Sequence, residues 1–147
     1  MLQLRTFALL FALVLTLFAC RCPIRPSNEA FCAADWVSHV KVLGKRSAPG
    51  DNLNDIVYAL RHIRIFKNSQ HYMSPAVFTS SESSACGLQL EVGKQYLLSG
   101  SFYDGRFHTS SCGQVVTDDP NDNFSGNLME WKDVTPSFKS RLESFSC

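Results

Sequence analysis

The sequence predicts a mainly β protein: a five-stranded antiparallel barrel with flanking helices, cross-linked by three disulfides. Five stretches with the alternation or composition of β-strands follow one another between residues 36 and 110, and apolar residues at helical spacing begin at residue 128. Closing such strands into a barrel buries them and leaves no exposed strand edge. The six cysteines follow a hydrophobic leader, and an even number in that setting is typical of a disulfide framework.

Residues 1–19 are interpreted as a secretory signal peptide. Arg5 supplies a positive charge, residues 9–18 form an apolar run that is short for a membrane span, and Ala19 is the small residue expected before the cleavage point. We therefore expect a secreted, extracellular protein whose mature form, residues 20–147, is a single domain. The mature form is not expected to span a membrane, because no later apolar run reaches the length of a spanning helix.

Cleavage at this point would leave a free α-amino group on Cys20. That amine and the adjacent peptide carbonyl can chelate a metal together in a five-membered ring. A bacterial lipoprotein acylated on Cys20 is the alternative, because alanine followed by cysteine also occurs in lipidation signals. Phe18 disfavours lipidation, since such a signal normally has a small residue there, and the disulfide framework fits an oxidising secretory route better.

Composition and motifs exclude several classes of protein. The formal net charge of +1 provides no strong field for binding nucleic acid. The histidines lack His-Glu-x-x-His spacing, no serine lies in a Gly-x-Ser-x-Gly motif, and no Cys-x-x-Cys pair indicates a zinc site. The sequence therefore predicts a protein that is not an enzyme and has no cofactor of its own.

The secondary structure is predicted element by element. Residues 20–26 contain two prolines and are expected to be extended and stiff, because proline fixes φ and restricts the residue before it. Ser27 or Asn28 is expected to cap a short helical turn through Cys32. The predicted strands are residues 36–44, 55–67, 76–79, 96–102 and 106–110. Asp104-Gly105 between the last two is a strong hairpin signal. The predicted helical positions are Leu128, Trp131 and Val134, and then, after Pro136, Phe138, Leu142 and Phe145.

The cysteines and their surroundings resemble a known family. The residues that carry the resemblance are Cys20-Arg21-Cys22-Pro23, Ala30-Phe31-Cys32, Val77-Phe78-Thr79, Ser84-Ala85-Cys86-Gly87, residues 96–100, Asp104-Gly105, residues 108–112 and Cys147. Over the whole mature chain this framework resembles the tissue inhibitors of metalloproteinases. The second, smaller cysteine-rich domain of that family has no counterpart here, so the chain looks like a single-domain member.

The resemblance implies a netrin-like domain with an oligonucleotide/oligosaccharide-binding (OB) type barrel. In that family the first three cysteines pair in order with the last three. Carried over, the implied disulfides are Cys20–Cys86, Cys22–Cys112 and Cys32–Cys147.

The resemblance also implies a function, the inhibition of an extracellular zinc metalloproteinase. The N-terminal segment would enter the protease cleft, and the Cys20 amine and carbonyl would chelate the catalytic zinc of the protease. The expected cofactor is therefore only the zinc of the bound protease. The expected inhibitory contacts are Cys20, Arg21, Cys22, Pro23, Ile24, Ser83, Ser84 and Ala85.

Arg21 departs from the family pattern, which usually has a small threonine or serine between the first two cysteines. Its side chain would point into a specificity pocket that is mostly apolar in matrix metalloproteinases, and burying an unpaired guanidinium is costly. The alternative function is therefore a non-inhibitory netrin-like module that binds a cell-surface receptor or a matrix component.

Two surface features complete the predictions. Asn123-Phe124-Ser125 is an N-glycosylation sequon in a polar stretch. Arg61, Arg64 and Lys67 are interpreted as a solvated strand face, with the binding of sulfated glycans as the less favoured alternative.

Overall fold

The computed structural model describes residues 20–48, 50 and 53–147, together with residues 3 and 7. Apart from residues 3 and 7, the predicted signal peptide lies outside the described residues, as does its cleavage. Within the described part, no helix is long and apolar enough to cross a bilayer. The elements are α1 (Ser27–Ala33), β1 (Trp36–Ser47), β2 (Ile56–Asn68), β3 (Ala76–Thr79), β4 (Gln95–Tyr103), β5 (Arg106–His108), β6 (Met129–Glu130) and α2 (Pro136–Ser144).

Five of these strands close into a barrel, which confirms the predicted fold class. Neighbouring strands pair in the order β1–β2–β3–β5–β4, and β4 pairs back with β1 from Trp36 opposite Gly100 to Lys41 opposite Gln95. The long β1–β2 pair contains three shifts of register. Such bulges increase the bend and twist of a strand. They therefore let two strands of twelve and thirteen residues curl around a small barrel.

One pairing differs from the predicted antiparallel arrangement. β3 and β5 run parallel, with Val77 opposite Phe107 and Phe78 opposite His108. Parallel neighbours need a long connection, and here residues 80–105 supply it, because they include the whole of β4. The β4–β5 hairpin itself is as predicted. Asp104 and Gly105 both have positive φ, 51° and 69°, which are the signs that a two-residue type I′ turn requires.

The strands carry a core on each side of the barrel wall. The inner core contains Trp36, Val40, Val42, Tyr58, Leu60, Val77, Tyr96, Leu98 and Phe107. The outer core joins the other face of β1 and β4 to the helices and contains Val37, Leu97, Phe31, Val115, Met129, Phe138 and Leu142. Successive side chains in a strand point to opposite faces. The central parts of β1 and β4 are therefore buried on both sides, and α1 and α2 cover one side of the barrel.

The first of the two predicted C-terminal helical stretches is wrong. Residues 128–134 form β6 and a single 3-10 turn, Trp131–Asp133, instead of an α-helix. Met129 and Glu130 pair with Leu97 and Tyr96 of β4. Pairing with the edge of β4 therefore determines the structure of this stretch, although its apolar residues have helical spacing. The second stretch is confirmed as α2. It begins at Pro136, and the Thr135 hydroxyl accepts a hydrogen bond from the Phe138 amide as its N-cap.

Barrel closure leaves no room for a side chain at Gly100. A Cβ there would lie 1.8 Å from the carbonyl oxygen of His108 and 2.8 Å from Cζ2 of Trp36. We expect Gly100→Ala to lower the free energy of unfolding by about 3 kcal/mol or more, because backbone must move to relieve the clash. Gly44→Ala is the matched control, since its Cβ would make only an ordinary 3.9 Å contact with Ala59. Urea denaturation measures both, and equal effects of the two substitutions would contradict this account.

Candidate functional site

Two disulfides fix the N-terminal segment to the barrel. Cys20 is bonded to Cys86 and Cys22 to Cys112, with Cα–Cα distances of 5.2 and 5.0 Å. The bridges lie against each other, because Cys112 Sγ is 3.7 Å from the Sγ atoms of both Cys20 and Cys86. The third bridge joins Cys32 of α1 to Cys147. These are the three pairings that the resemblance implies.

The predicted contact residues lie together on the surface. Residues 20–24 and residues 83–85 are called the contact ridge from here on, and the Cys20–Cys86 bridge joins its two parts. Residues 21–24 are exposed, and Ile24 is fully so, at 101%. Burial of such a side chain by a partner would stabilise a complex by roughly 1.5–3 kcal/mol. The ridge therefore presents apolar surface that a partner can cover.

The second part of the contact ridge is a rigid loop. Ser83–Ala85 form an exposed 3-10 turn, which ends at Cys86 in the left-handed region with φ 60°. The loop closes on itself at Gly87, where a Cβ would lie 2.0 Å from the Ser80 carbonyl oxygen. Its base is held because the Ser81 amide and hydroxyl donate to the Asp55 carboxylate at 2.7 and 2.6 Å. The Ser81 hydroxyl, followed by its amide, holds the pKa of Asp55 below its usual range.

A charged cluster anchors the chain immediately after the contact ridge. Asp118 accepts hydrogen bonds from the amide and the hydroxyl of Ser27, at 2.9 and 3.0 Å. Arg141 of α2 donates to Asp118 at 2.9 Å and to the Ser27 hydroxyl at 2.8 Å. The prediction that Ser27 or Asn28 caps α1 is therefore wrong. The N-cap position is Pro26 without a side-chain bond, and the distant Asp118 carboxylate satisfies the first free amide instead.

The pKa of Asp118 reflects this cluster. Partial burial is the largest single influence and opposes ionisation. The Ser27 amide, the Arg141 guanidinium and the Ser27 hydroxyl together outweigh it, and the pKa of Asp118 lies below its usual value. A carboxyl group with a depressed pKa stabilises the fold above its unfolded pKa, and that contribution is lost as pH falls through the folded pKa.

The predicted basic cluster on β2 does not form a free cationic surface. Lys67 Nζ donates to the carbonyl oxygens of Phe31, Cys32 and Ala34, and it thereby closes the C-terminal end of α1. Arg64 pairs with Glu143 of α2 at 2.7 Å. Arg61 and Arg64 are exposed, as expected for a solvated strand face, whereas Lys67 is half-buried against α1 and does not belong to that face.

Two grooves border the contact ridge. One, of about 440 Å³, is mostly apolar; it is lined by Cys22, Pro23, Ile24, Val116, Gly126 and Asn127 among others. The other, of about 650 Å³, lies beyond the two disulfides and is lined by Ala85, Cys86 and Cys112, with Thr79 and Ser110. The ridge is therefore a raised edge with accessible surface on both sides.

The sulfur cluster is not a metal site of the free protein. Among the described residues, Cys20, Cys22 and Cys112 form a grouping of potential ligand atoms within 4.8 Å. All three sulfurs are in disulfides, whereas zinc binds the thiolate form of cysteine. Any metal chemistry at the contact ridge must therefore come from main-chain atoms.

The histidines on β1 and β2 make structural contacts. His39 stacks on Trp131 with ring centroids 3.7 Å apart and contacts Gln95 at 2.7 Å. His62 makes hydrogen bonds with the Ser38 hydroxyl and with a main-chain carbonyl. Burial is the main cause that lowers the pKa of both imidazoles, so each favours its neutral form.

The fold and the site together define a disulfide-linked, netrin-like barrel that presents a rigid N-terminal ridge. Comparison with known proteins agrees with this class. The family model described as tissue inhibitor of metalloproteinase matches residues 18–120. The chain belongs to the tissue inhibitor of metalloproteinase family, whose members are inhibitors and not enzymes.

Individual relatives are similar to this chain over different lengths. The Caenorhabditis elegans protein named "Putative metalloproteinase inhibitor tag-225" is 35% identical over 97% of this chain and 96% of its own. "Metalloproteinase inhibitor 3" is 31% identical in Scyliorhinus torazame, over 67% of this chain, and 35% identical in Gallus gallus, over 64%. This chain spans about half the length of the last two, 47% and 45%. The names of these relatives support a protease-inhibitor role.

The Asp118 cluster leads to a prediction about stability. At pH 7 we expect Asp118→Asn to lower the free energy of unfolding by about 1 kcal/mol, because half-exposed charged hydrogen bonds contribute about that much. The difference from the wild type should shrink as pH falls below ~3.9, where Asp118 of the unfolded chain becomes protonated, and it should vanish below the lower pKa of the folded chain. Denaturation at a series of pH values measures it, with the exposed Asp133→Asn as control. A difference that stays constant down to pH 2 would show that Asp118 acts without its charge.

Proposed function

We propose that the chain is a secreted inhibitor of zinc metalloproteinases, and that its mature form begins at Cys20 and acts through the contact ridge. The observation that carries this proposal is the pair of adjacent disulfides, which fixes residues 20–22 beside the loop of residues 83–85. Removal of residues 1–19 in the secretory route would leave the α-amine of Cys20 in that fixed position. The inhibitor would act outside the cell, where disulfides persist.

The Cys20 amine and carbonyl oxygen supply the proposed chemistry. Both are uncharged donors that suit the open coordination position of a catalytic zinc, from which they would displace the reactive water. The amine binds a metal only when it is neutral, and a free α-amine has a pKa near ~8. A proton therefore competes with zinc, and inhibition should weaken as pH falls.

Rigidity favours tight binding through such a small chelating group. A flexible terminus would lose conformational freedom on entering a protease cleft, and that loss subtracts from affinity. Here the disulfides hold residues 20–22, and Asp118 and Arg141 hold Ser27. Pro23 and Pro26 restrict the residues between these anchors. Most of the ordering cost is thus met when the protein folds.

The side chains of the contact ridge would set the choice of protease. Pro23 and Ile24 offer exposed apolar contact next to the chelating residue, and Ser83, Ser84 and Ala85 offer small polar surface. Arg21 is exposed and follows Cys20 directly, so its guanidinium would enter the pocket beyond the zinc. A pocket with a carboxylate or with water would accept it, whereas an apolar pocket would not.

Arg21 also favours the second candidate function, a netrin-like module that binds a receptor or a matrix component without inhibiting a protease. The two candidates differ in what they require of the N-terminus. Chelation requires a free Cys20 amine, whereas surface binding does not. A panel of metalloproteinases assayed with correctly cleaved protein tests the first candidate directly.

Moving the amine should abolish inhibition. We compare protein that begins at Cys20 with protein that carries one additional alanine before it. The extension replaces the chelating amine with an amide, so inhibition should fall by at least about a hundred-fold, or more than 2.7 kcal/mol. Circular dichroism and disulfide mapping provide the control that both proteins share one fold. Equal inhibition by the two proteins would rule out chelation by this terminus.

Shortening Arg21 should broaden inhibition. We expect Arg21→Thr to strengthen inhibition of proteases with apolar specificity pockets by about ten-fold or more, because ~1.4 kcal/mol corresponds to one decade and burying an unpaired charge costs at least that much. Arg25→Thr is the matched control, since it removes the same charge from the exposed segment next to the ridge. If correctly cleaved Arg21→Thr protein inhibits no metalloproteinase in the panel, the binding-module function is preferred.

A further inference from the structure

The polar turn of residues 118–127 flanks the contact ridge. Its first residue, Asp118, is hydrogen-bonded to Ser27 just after the ridge. Its last two residues, Gly126 and Asn127, line the apolar groove together with residues 22–25 of the N-terminal segment. Both ends of the turn therefore reach the same segment. Four or five residues separate the middle of the turn from the residues that line the groove. Even fully extended, they span at most about 14–18 Å, so the middle of the turn lies within that distance of the groove.

Asn123 lies in the middle of this turn with its side chain available. It is exposed, and it follows the 3-10 turn Pro120–Asp122 in the left-handed conformation with φ 48°. Its side-chain amide makes no hydrogen bond to any residue that the structure describes. Asn121, two residues earlier, has the opposite role, because its side-chain nitrogen donates to Asp119 at 2.9 Å.

The two residues after Asn123 complete an accessible acceptor sequence. Ser125 is exposed, and its hydroxyl makes no hydrogen bond within the described part of the chain. Phe124 between them packs against the outer core and so fixes the direction in which its neighbours point. The sequence contains no other Asn-x-Ser/Thr triplet, so this is the one position where such a modification can occur by that signal.

We propose that Asn123 carries an N-linked oligosaccharide that covers this flank of the contact ridge. The proposal rests on the secretory route in the proposed function, because the donor is a lipid diphosphate-linked oligosaccharide of that compartment. The Asn123 amide nitrogen forms a bond to C1 of the terminal sugar and loses one proton. The bond from C1 to the diphosphate oxygen breaks, and the lipid diphosphate leaves with the electron pair. No oxidant or reductant takes part.

An oligosaccharide at Asn123 would have two effects. It adds a bulky, hydrated group to an exposed turn. Because Gly126 and Asn127 line the same groove as Pro23 and Ile24, the group also restricts solvent access to this groove.

The test uses the full chain, with residues 1–19, expressed in a eukaryotic secretory host. We expect an oligosaccharide mass on the secreted protein that an N-glycan amidase removes. The mass should be absent from Asn123→Gln and Ser125→Ala, and it should remain on Ser125→Thr and on the matched control Asn121→Gln. An unmodified wild type from cells that glycosylate a reporter protein would overturn the proposal, as would a mass that persists in Asn123→Gln or a chain retained in the cytosol.

Coverage of the flank has its own measurement. Hydroxyl-radical footprinting should oxidise Ile24 about two-fold more slowly in the glycosylated wild type than in Asn123→Gln, because a bulky glycan restricts solvent access. Val92, which is 58% exposed, serves as the internal reference. Equal oxidation of Ile24 in both proteins would overturn the coverage. None of these readouts depends on inhibition, so failure here and failure of the proposed inhibitory function are distinguishable.

Discussion

The contact between the Cys20–Cys86 and Cys22–Cys112 disulfides is the constraint on which the site depends. Residues 20–26 form no strand or helix, so without these two disulfides they would not be fixed to the barrel. In the chain-entropy description, closing a loop of this length lowers the conformational entropy of the unfolded chain. This destabilises the unfolded chain by roughly 4–5 kcal/mol for each bridge. The bridges also select one position of residues 20–22 relative to residues 83–85. The same bonds thus contribute to stability and define the shape of the site.

The outer core connects the chain that follows the contact ridge to the rest of the fold. Both faces of β1 and β4 are buried, one inside the barrel and one under α1 and α2. The Lys67 ammonium joins β2 to the end of α1, and the Asp118–Arg141 pair joins the beginning of α1 to α2. The segment after the contact ridge therefore begins a helix that is fixed at both of its ends.

Local signals in the sequence predicted the features that depend on near neighbours. The Asp104-Gly105 hairpin, the start of α2 at Pro136 and the strands of the barrel all follow from spacing or turn chemistry. The cysteine framework predicted the location of the contact ridge because it resembles a known family. Contact between the ridge and a protease, and the role of Cys20 in it, remain proposals.

The features that sequence reasoning missed join residues far apart in the chain. Ser27 and Asp118 are separated by 91 positions, and Ser27 and Arg141 by 114, so no local pattern marks them as partners. The parallel β3–β5 pair and the β6 strand were missed for the same reason, because each depends on which strand edges meet when the barrel closes. The prediction that Lys67 is solvated is wrong because its three carbonyl acceptors belong to the end of α1, a distant element in the sequence. In each of these cases, tertiary contacts produce a structure that differs from the one predicted by the local sequence.

The order of the disulfides along the chain has a consequence for biosynthesis. Each bridge joins one of the first three cysteines of the sequence to one that is 66, 90 or 115 residues further on. During synthesis from the N-terminus, Cys20, Cys22 and Cys32 all emerge well before any of their partners. Cys20 and Cys22 are close enough to form a non-native disulfide with each other first. Correct pairing must then wait for most of the barrel strands to be made. Thiol–disulfide exchange, which takes seconds to hours, rather than the folding of the strands, would then set the rate at which the folded protein accumulates.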